Sequence, residues 1–361
     1  MVTAHASGQS TAMRVVVTGA TGNVGTSVLR ALAADPAVDE VIALARRAPG
    51  RDLERATFAR ADITADDLRP VFAGADAVVH LAWLIQPGRD ESVTRRVNVD
   101  GSRRVFEAVV AARVPALVYA SSVGAYSPGP KDRRVDESWP TNGIATSFYS
   151  RHKAEVERQL DRLQAEQPQL RVVRLRPGLI FKREAATEIR RLFVGPWLPR
   201  ALLRSTLVPV FPDVARLRFQ AVHSDDVGEA YRAAVLSDCA GAFNVAADPV
   251  IGPDELAQLL GARKIKMSSR ILRAGADITY RARLQPAEPG WVDMGLAVPL
   301  MSIERARDEL GWTPRRTAVE ALRELAEGMR DGADDRTAPL ARDSSGPARI
   351  REFVTGVGGR Q

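Results

Sequence analysis

The stretch Arg14-Val15-Val16-Val17-Thr18-Gly19-Ala20-Thr21-Gly22-Asn23-Val24-Gly25 decides the fold. Its first five residues are a β-branched run, the pattern of a buried strand. Thr26 to Ala34 then reads as a helix. Strand, glycine-rich turn and helix form the setting in which a dinucleotide fingerprint has physical meaning. Gly19 permits the tight turn, Gly22 lets the backbone approach a pyrophosphate, and Gly25 lets the helix pack closely. The helix N-terminus offers unpaired N–H groups to phosphates. The spacing is Gly-x-x-Gly-x-x-Gly rather than the commoner Gly-x-Gly-x-x-Gly.

The same alternation continues outward. Glu40 to Ala45 reads as a second strand. NAD sites usually hold the ribose with an acid at such a strand end. Here Ala45 is followed by Arg46 and Arg47, which suit a 2′-phosphate, so NADP is expected in preference to NAD. Thr57 to Ile63 suggests a third strand ending at Asp62, placed to accept from an adenine amino group. Asp76 to Ala82 suggests a fourth strand, and residues 90–113 a long helix containing Asn98. Ala116 to Ala120 is a further strand, with Ser121 and Ser122 at its end. The chain is therefore read as α/β, a Rossmann-type doubly wound parallel sheet with a smaller C-terminal substrate-binding lobe. Ligands of such sheets collect at the carboxyl ends of strands, where these polar and glycine residues fall.

Ser147-Phe148-Tyr149-Ser150-Arg151-His152-Lys153 carries a second signal. On a helix, Tyr149 and Lys153 share one face. A phenol alone is a poor base near neutrality, and a nearby ammonium lowers its pKa. The pair can then move a proton to or from a substrate hydroxyl. With five Tyr and five Lys in the chain, chance supplies about 0.07 such pairs.

Bulk properties narrow the function class. The 361 residues are 45% hydrophobic, enough for a sizeable core. The net charge of +7 is dispersed in arginine doublets such as Arg46-Arg47 and Arg315-Arg316, with no like-charge block. Nucleic acid is not indicated as a partner. One cysteine, Cys239, excludes an intrachain disulfide and suits a cytoplasmic location. The four histidines and Cys239 lack metal-ligand spacing, so no metal is expected. Neither a signal peptide nor an integral membrane segment is read in the chain.

Several pieces in order resemble the extended, epimerase/dehydratase-like short-chain dehydrogenases/reductases. They are Thr18 to Gly25, Asp62-Ile63, His80-Leu81-Ala82, Asn98-Val99-Asp100-Gly101, Tyr119-Ala120-Ser121-Ser122, Tyr149 with Lys153, Arg176-Pro177-Gly178 and His223 to Val227. The resemblance implies that Ser122 hydrogen-bonds the reacting oxygen and Tyr149 is the acid/base. Lys153 then lowers the Tyr149 pKa and holds the nicotinamide ribose, with Ser121 an alternative for the Ser122 role. It also implies a cofactor site formed by Gly19, Thr21, Gly22, Asn23, Val24, Gly25, Arg46, Arg47, Asp62, Ile63, Leu81, Ala82, Asn98, Ser121, Tyr149, Lys153 and Pro177. The implied activity is hydride transfer between nicotinamide and a carbonyl or secondary alcohol of a small molecule. A nucleotide-sugar epimerase with retained cofactor and a non-catalytic NADP-binding sensor are the alternatives. Ser122 is followed by Val123-Gly124-Ala125, without the acidic pair of dehydratases, and Gly178-Leu179-Ile180-Phe181 lacks the Asn of many sugar-nucleotide epimerases. A homodimer through helices 90–113 and 148–166 is a further implication of the family.

Domain boundaries follow. Residues 1–12 form a polar N-terminus, 13–176 mainly the dinucleotide domain, and 177–330 mainly the substrate lobe with late elements returning to the first domain. Residues 331–361 read as a disordered tail. Leu192 to Leu203 is apolar and broken by Gly195, Pro196 and Pro199, fitting lobe core, a substrate lid or a membrane-surface helix with Arg190, Arg191, Arg200 and Arg204 on its polar side. Residues 263–292 are basic and show no pattern. Ser302 to Gly311 reads as a capped helix.

Overall fold

Val15, Val16, Val17 and Thr18 have no exposed surface, which is what a run inside a sheet covered on both faces requires. They belong to β1 (Met13–Thr18) of a computed structural model that describes residues 13–50, 52–53, 55–85, 90–189, 210–282, 287–337 and 340. Six further strands join it: β2 (Val38–Ala45), β3 (Ala56–Arg60), β4 (Ala77–His80), β5 (Ala116–Ala120), β6 (Arg171–Pro177) and β7 (Gly241–Val245). All pair in parallel, in the order β7-β6-β5-β4-β1-β2-β3. The order reverses between β1 and β4, the point at which such sheets hold ligands at their carboxyl ends.

Helices α1 (Asn23–Ala33) and α4 (Ser224–Leu236) cover one face, joined by Trp312. Helices α2 (Gly101–Ala111) and α3 (Phe148–Glu166) cover the other, burying Val105, Phe106, Val156 and Leu160. The smaller lobe is built on a three-stranded sheet of Ala247–Ile251, Phe219–His223 and Leu179–Phe181. Helix α7 (Ala318–Asp331) lays Ala318, Ala321, Leu322 and Leu325 on that sheet.

Four expectations differ from the observed chain. The helix over 90–113 is interrupted: Glu91–Arg95 is α-helical, Arg96–Asp100 is a π turn containing Asn98, and α2 follows. Residues 263–292 hold a strand, Arg263–Lys266, then α5 (Ser269–Arg281) and the start of α6 (Gly290–Ala297). The third strand ends at Arg60, two residues before Asp62. Residues 332–337, placed in the disordered tail, are packed on the body: Gly50 N donates to Arg336 O (3.1 Å) and Thr187 Oγ1 to Ala333 O (2.7 Å). The apolar run at 192–203, residues 1–12 and residues 341–361 lie outside the described residues.

A buried ion cluster holds α3 on the sheet. Glu157 is fully buried on α3. Arg176 Nε and Nη2 reach its two oxygens at 2.9 and 3.0 Å, and Arg174 Nη1 adds a third contact at 2.9 Å. Ser121 Oγ donates to Glu157 Oε1 at 2.5 Å. Burial pushes the carboxyl up, and the bonds and charges of Arg176 and Arg174 reverse this, bringing it down to about 2. A depressed carboxyl contributes stability that is present above the ordinary value near 4.5 and is lost as pH falls through about 2. Glu157→Gln, which breaks the buried pair, is expected to cost about 3–5 kcal/mol at pH 7. Its unfolding free energy is also expected to fall less steeply than wild type between about pH 4.5 and 2, by up to about 1.4 kcal/mol per pH unit. Urea unfolding across that pH range checks both, and parallel pH dependences would sink the assignment.

Candidate active site and dinucleotide cleft

The turn after β1 is shaped by contacts that exclude a side chain. Gly19 has φ +70°, and a Cβ there lies 2.7 Å from Ala82 N. This fixes the turn against Leu81 and Ala82 at the end of β4. A Cβ at Gly25 lies 2.6 Å from the Ala20 carbonyl carbon, so α1 sits directly on the turn. At Gly22, by contrast, a Cβ meets only Gly19 O, at 3.4 Å. Gly22 is the N-cap of α1, and no side chain caps this helix end. The result is an open cradle headed by a helix N-terminus, which fits the pyrophosphate of a dinucleotide. Thr21 is buried in the turn and Val24 packs on the core. Asn23 Nδ2 donates to Ile180 O (3.2 Å), tying the cradle to the small lobe. Lys182 reinforces that tie: its buried Nζ donates to Asn23 O and Thr26 Oγ1, both at 2.6 Å. Burial brings the Lys182 ammonium down to about 8.

The floor of the crevice is pinned by His80. Its Nδ1 lies 2.7 Å from Thr18 Oγ1 and its Nε2 3.0 Å from Ser102 Oγ. Burial, then the charge of Lys153, depresses it to about 3, so the ring is neutral and structural. Asn98 holds the segment that follows β4, accepting from Leu84 N (2.7 Å) and donating to Leu84 O (2.9 Å). The π turn brings Asn98 to this position, a use of such turns found at functional sites.

At the far side, Arg46 is half exposed and its Nη1 is 4.0 Å from Asp62 Oδ2. Thr64 occupies Asp62 Oδ1 through its N (2.8 Å) and Oγ1 (2.7 Å). Burial raises the Asp62 carboxyl, and Thr64, Arg46 and Arg104 together bring it below its ordinary value. Arg47 is exposed at the end of β2. The Ile63 side chain faces the core against Gly101. Pro177 closes β6 and pairs with Val245.

Tyr149 stands in the first turn of α3, which Ser147 caps, and Lys153 follows one turn later. Ser122 is buried just past β5, and its side chain is near enough to the Tyr149 hydroxyl to pull that phenol's pKa down. Gly124 N donates to Ser122 Oγ at 3.0 Å. A Cβ at Gly124 lies 2.8 Å from Tyr149 Cε1, so only glycine lets the ring lie there. Ser121 is turned the other way onto Glu157. Of the two serines, Ser122 meets Tyr149.

Two tryptophans missed by sequence reasoning complete the site. Trp291 of α6 is 5.0 Å from the Tyr149 ring, and Trp83, edge-on, is 5.9 Å away. Met294 of the same helix approaches the Gly124 position as well. Lys153 Nζ donates to Ala120 O (2.5 Å) and lies 3.5 Å from the Trp83 ring centroid. Burial drives this ammonium well below the ordinary lysine range, against the pull of Glu157. The Tyr149 phenol is pushed up to about 12 by burial, against the opposing effect of nearby Ser122. The expected lowering of Tyr149 by Lys153 is thus not met in this arrangement, because the ammonium is engaged on Trp83 and the backbone.

Known proteins agree with this architecture. An uncharacterised protein of Mycobacterium tuberculosis (strain H37Rv) is 26% identical over 87% of this chain and 83% of its own length. L-Arabinose 1-dehydrogenase (NAD(P)(+)) of Haloferax volcanii is 36% identical over a shorter span, 30% of this chain and 41% of that protein. The UDP-glucose 4-epimerase of Thermus thermophilus, solved in complex with NAD, superposes with TM-score 0.63 at 22% identity, over 88% of this chain and 99% of that one. Residues 15–246 match the model of the NAD dependent epimerase/dehydratase family. The chain belongs to the NAD-dependent epimerase/dehydratase family.

Proposed function

We propose that the protein is an NADP-preferring oxidoreductase that interconverts a carbonyl and a secondary alcohol on a substrate with an apolar body. The observation that carries this reading is the meeting of Ser122, Tyr149 and Lys153 under the rings of Trp83 and Trp291. The open cradle at Gly22 supports the dinucleotide, with Arg46 and Arg47 at the adenosine end for a 2′-phosphate and Asp62 beside the adenine. Bound there, a nicotinamide dinucleotide supplies the hydride exchange with the substrate carbon. The chain's own part is to place the substrate oxygen between the Ser122 and Tyr149 hydroxyls. Tyr149 gives its proton to that oxygen in reduction and takes it back in oxidation. Lys153, released from Trp83 towards a ribose, steadies the developing phenolate. The nucleotide-sugar epimerase reading predicts no net consumption of added cofactor.

Three outcomes test the reading. With an aryl or alkyl ketone as substrate, Tyr149→Phe is expected to lower kcat/KM about 10²–10⁴-fold, while calorimetric NADPH affinity stays within about twofold of wild type. Loss of cofactor binding in that variant, or absence of net NADPH oxidation by wild type, argues for the epimerase or sensor instead.

Because the Tyr149 phenol is raised to about 12, it is protonated throughout the neutral range. Ketone reduction is therefore expected to be flat between about pH 6 and 9, and alcohol oxidation to rise with pH over the same range, approaching about tenfold per unit. Initial rates in both directions check this, and a reduction rate falling across that range would refute it.

Titration of NADPH and NADH into wild type and Arg46→Ala reads the cofactor. NADPH preference reduced about tenfold on mutation, with NADH binding unchanged, is the expected result. Equal binding of the two by wild type would remove the argument from Arg46.

A further inference from the structure

Helix α5 (Ser269–Arg281) carries no buried residue, although it is thirteen residues long. Its exposed positions include Ile271, Ala274, Gly275 and Ile278, with Ala282 just beyond, which follow the 3–4 spacing of one helix face. That stripe is entirely apolar. Ile271 is 61% exposed and Ile278 65%. The adjoining strand Arg263–Lys266 exposes Ile265, and its partner strand begins with exposed Val210. Of the six exposed large hydrophobic side chains among the described residues, four lie in this helix, the strand before it and that strand's partner.

The surroundings of the stripe are strongly basic. Residues 263–282 hold Arg263, Lys264, Lys266, Arg270, Arg273 and Arg281 against the single acid Asp277, a net +5 within a chain of net +7. Asp277 is itself bridged to Arg281 (2.8 Å), Arg273 to Asp293 of α6 (2.9 Å) and Lys264 to Asp254 and, at 3.8 Å, to Asp213, which leaves Arg263, Lys266 and Arg270 without a salt bridge among the described residues. An exposed apolar stripe edged by Lys and Arg is the signature of a helix that lies in the plane of an anionic lipid surface. A second copy of the chain fits poorly, since a symmetric contact sets the cations Arg263, Lys266 and Arg270 against the same three.

We propose that α5 and the strand Arg263–Lys266 form a docking face for an anionic phospholipid bilayer. Ile265, Ile271 and Ile278 enter the headgroup boundary, and Lys266, Arg270 and Arg281 meet the lipid phosphates. The face lies one helix from the candidate site: α5 is bridged to α6, whose Trp291 packs on Tyr149. Docking there sets the apolar wall of that site next to the membrane, where a water-insoluble substrate resides.

The test uses the full-length protein and sucrose-loaded vesicles of phosphatidylcholine, with or without one quarter phosphatidylglycerol. Wild type is expected to sediment with the anionic vesicles at least about tenfold more strongly than with the neutral ones, and to be released as salt rises. Ile271→Glu combined with Ile278→Glu is expected to lower that partitioning at least about tenfold, and so is Lys266→Glu combined with Arg270→Glu. Circular dichroism and NADPH titration of both pairs are expected to match wild type, because the four positions are exposed and remote from the cofactor. Failure of wild type to bind anionic vesicles overturns the proposal, as does equal partitioning of wild type and the isoleucine pair. So does a vesicle-free dimer, seen by sedimentation velocity, that the isoleucine pair dissolves. None of these results bears on NADPH turnover, so the docking face and the proposed reaction stand or fall separately.

Discussion

A carboxylate buried on the inner face of α3 governs where the reactive groups stand. Removing Glu157 from water is costly, and the cost is offset only because two guanidinium groups and a hydroxyl converge on it. Arg174 and Arg176 are both on β6, two residues apart, so both side chains leave the same face of the sheet. Glu157 therefore fixes α3 both along and around its axis relative to β6. Lys153 is one turn before Glu157 and Tyr149 two turns before it, so the anchor sets the direction of the whole face they share. Arg176 extends the lock to Tyr126 OH (3.0 Å), which in turn donates to Asn244 Oδ1 on β7 (2.7 Å).

The same anchor sorts the two serines after β5. Successive residues of an extended chain point to opposite sides. Ser122 is extended, with φ −168° and ψ 156°. Once Ser121 is committed to Glu157, Ser122 must face the other way, towards Tyr149. A structural hydrogen bond on one side thus orients the Ser122 hydroxyl on the other. This is why neighbouring residues of the same type have different surroundings, and why their equivalence in sequence is misleading.

What was legible in the sequence was whatever local pattern dictates. The β-branched strands, the glycine turn and the Tyr149–Lys153 spacing each depend on residues within a few positions, and the parallel sheet follows from their alternation. Pairings between distant residues were not legible. Glu157 reads as one more charge on a polar helix, and Arg174 and Arg176 as charges in a strand, until the fold faces them. Trp83 and Trp291 are 208 positions apart in sequence and meet only around Tyr149. Residues 263–282 were opaque for another reason. Helix α5 does carry a 3–4 spaced stripe, but Gly275 and the surrounding arginines thin it, and the stripe faces outwards instead of marking a core. The effect of Lys153 on Tyr149 was inferred from spacing and from the family resemblance, and neither registers an aromatic face competing for the ammonium.

The remaining wall of the site is held from outside it. Helix α6 has only eight residues, too few to be stable by itself. Its last three carbonyls are each met from elsewhere: Gly295 O by Lys131 Nζ (2.9 Å), Leu296 O by Arg216 Nε (3.1 Å) and Ala297 O by Gly129 N (2.8 Å). Two cations at a helix C-terminus also complement its dipole. Lys131 is bonded to Arg218 O as well (2.7 Å), and burial, with Arg216 and Arg218 nearby, brings its ammonium down to about 7. At the other end, Glu288 Oε1 accepts from Phe148 N (3.2 Å), joining the approach to α6 to the turn of α3 that carries Tyr149. Trp291 and Met294 are therefore held jointly, by Arg216 of the small lobe and by Gly129, Lys131 and Phe148 of the dinucleotide domain. The spacing between Trp291 and Tyr149 is thus set by contacts that run from α6 to both domains.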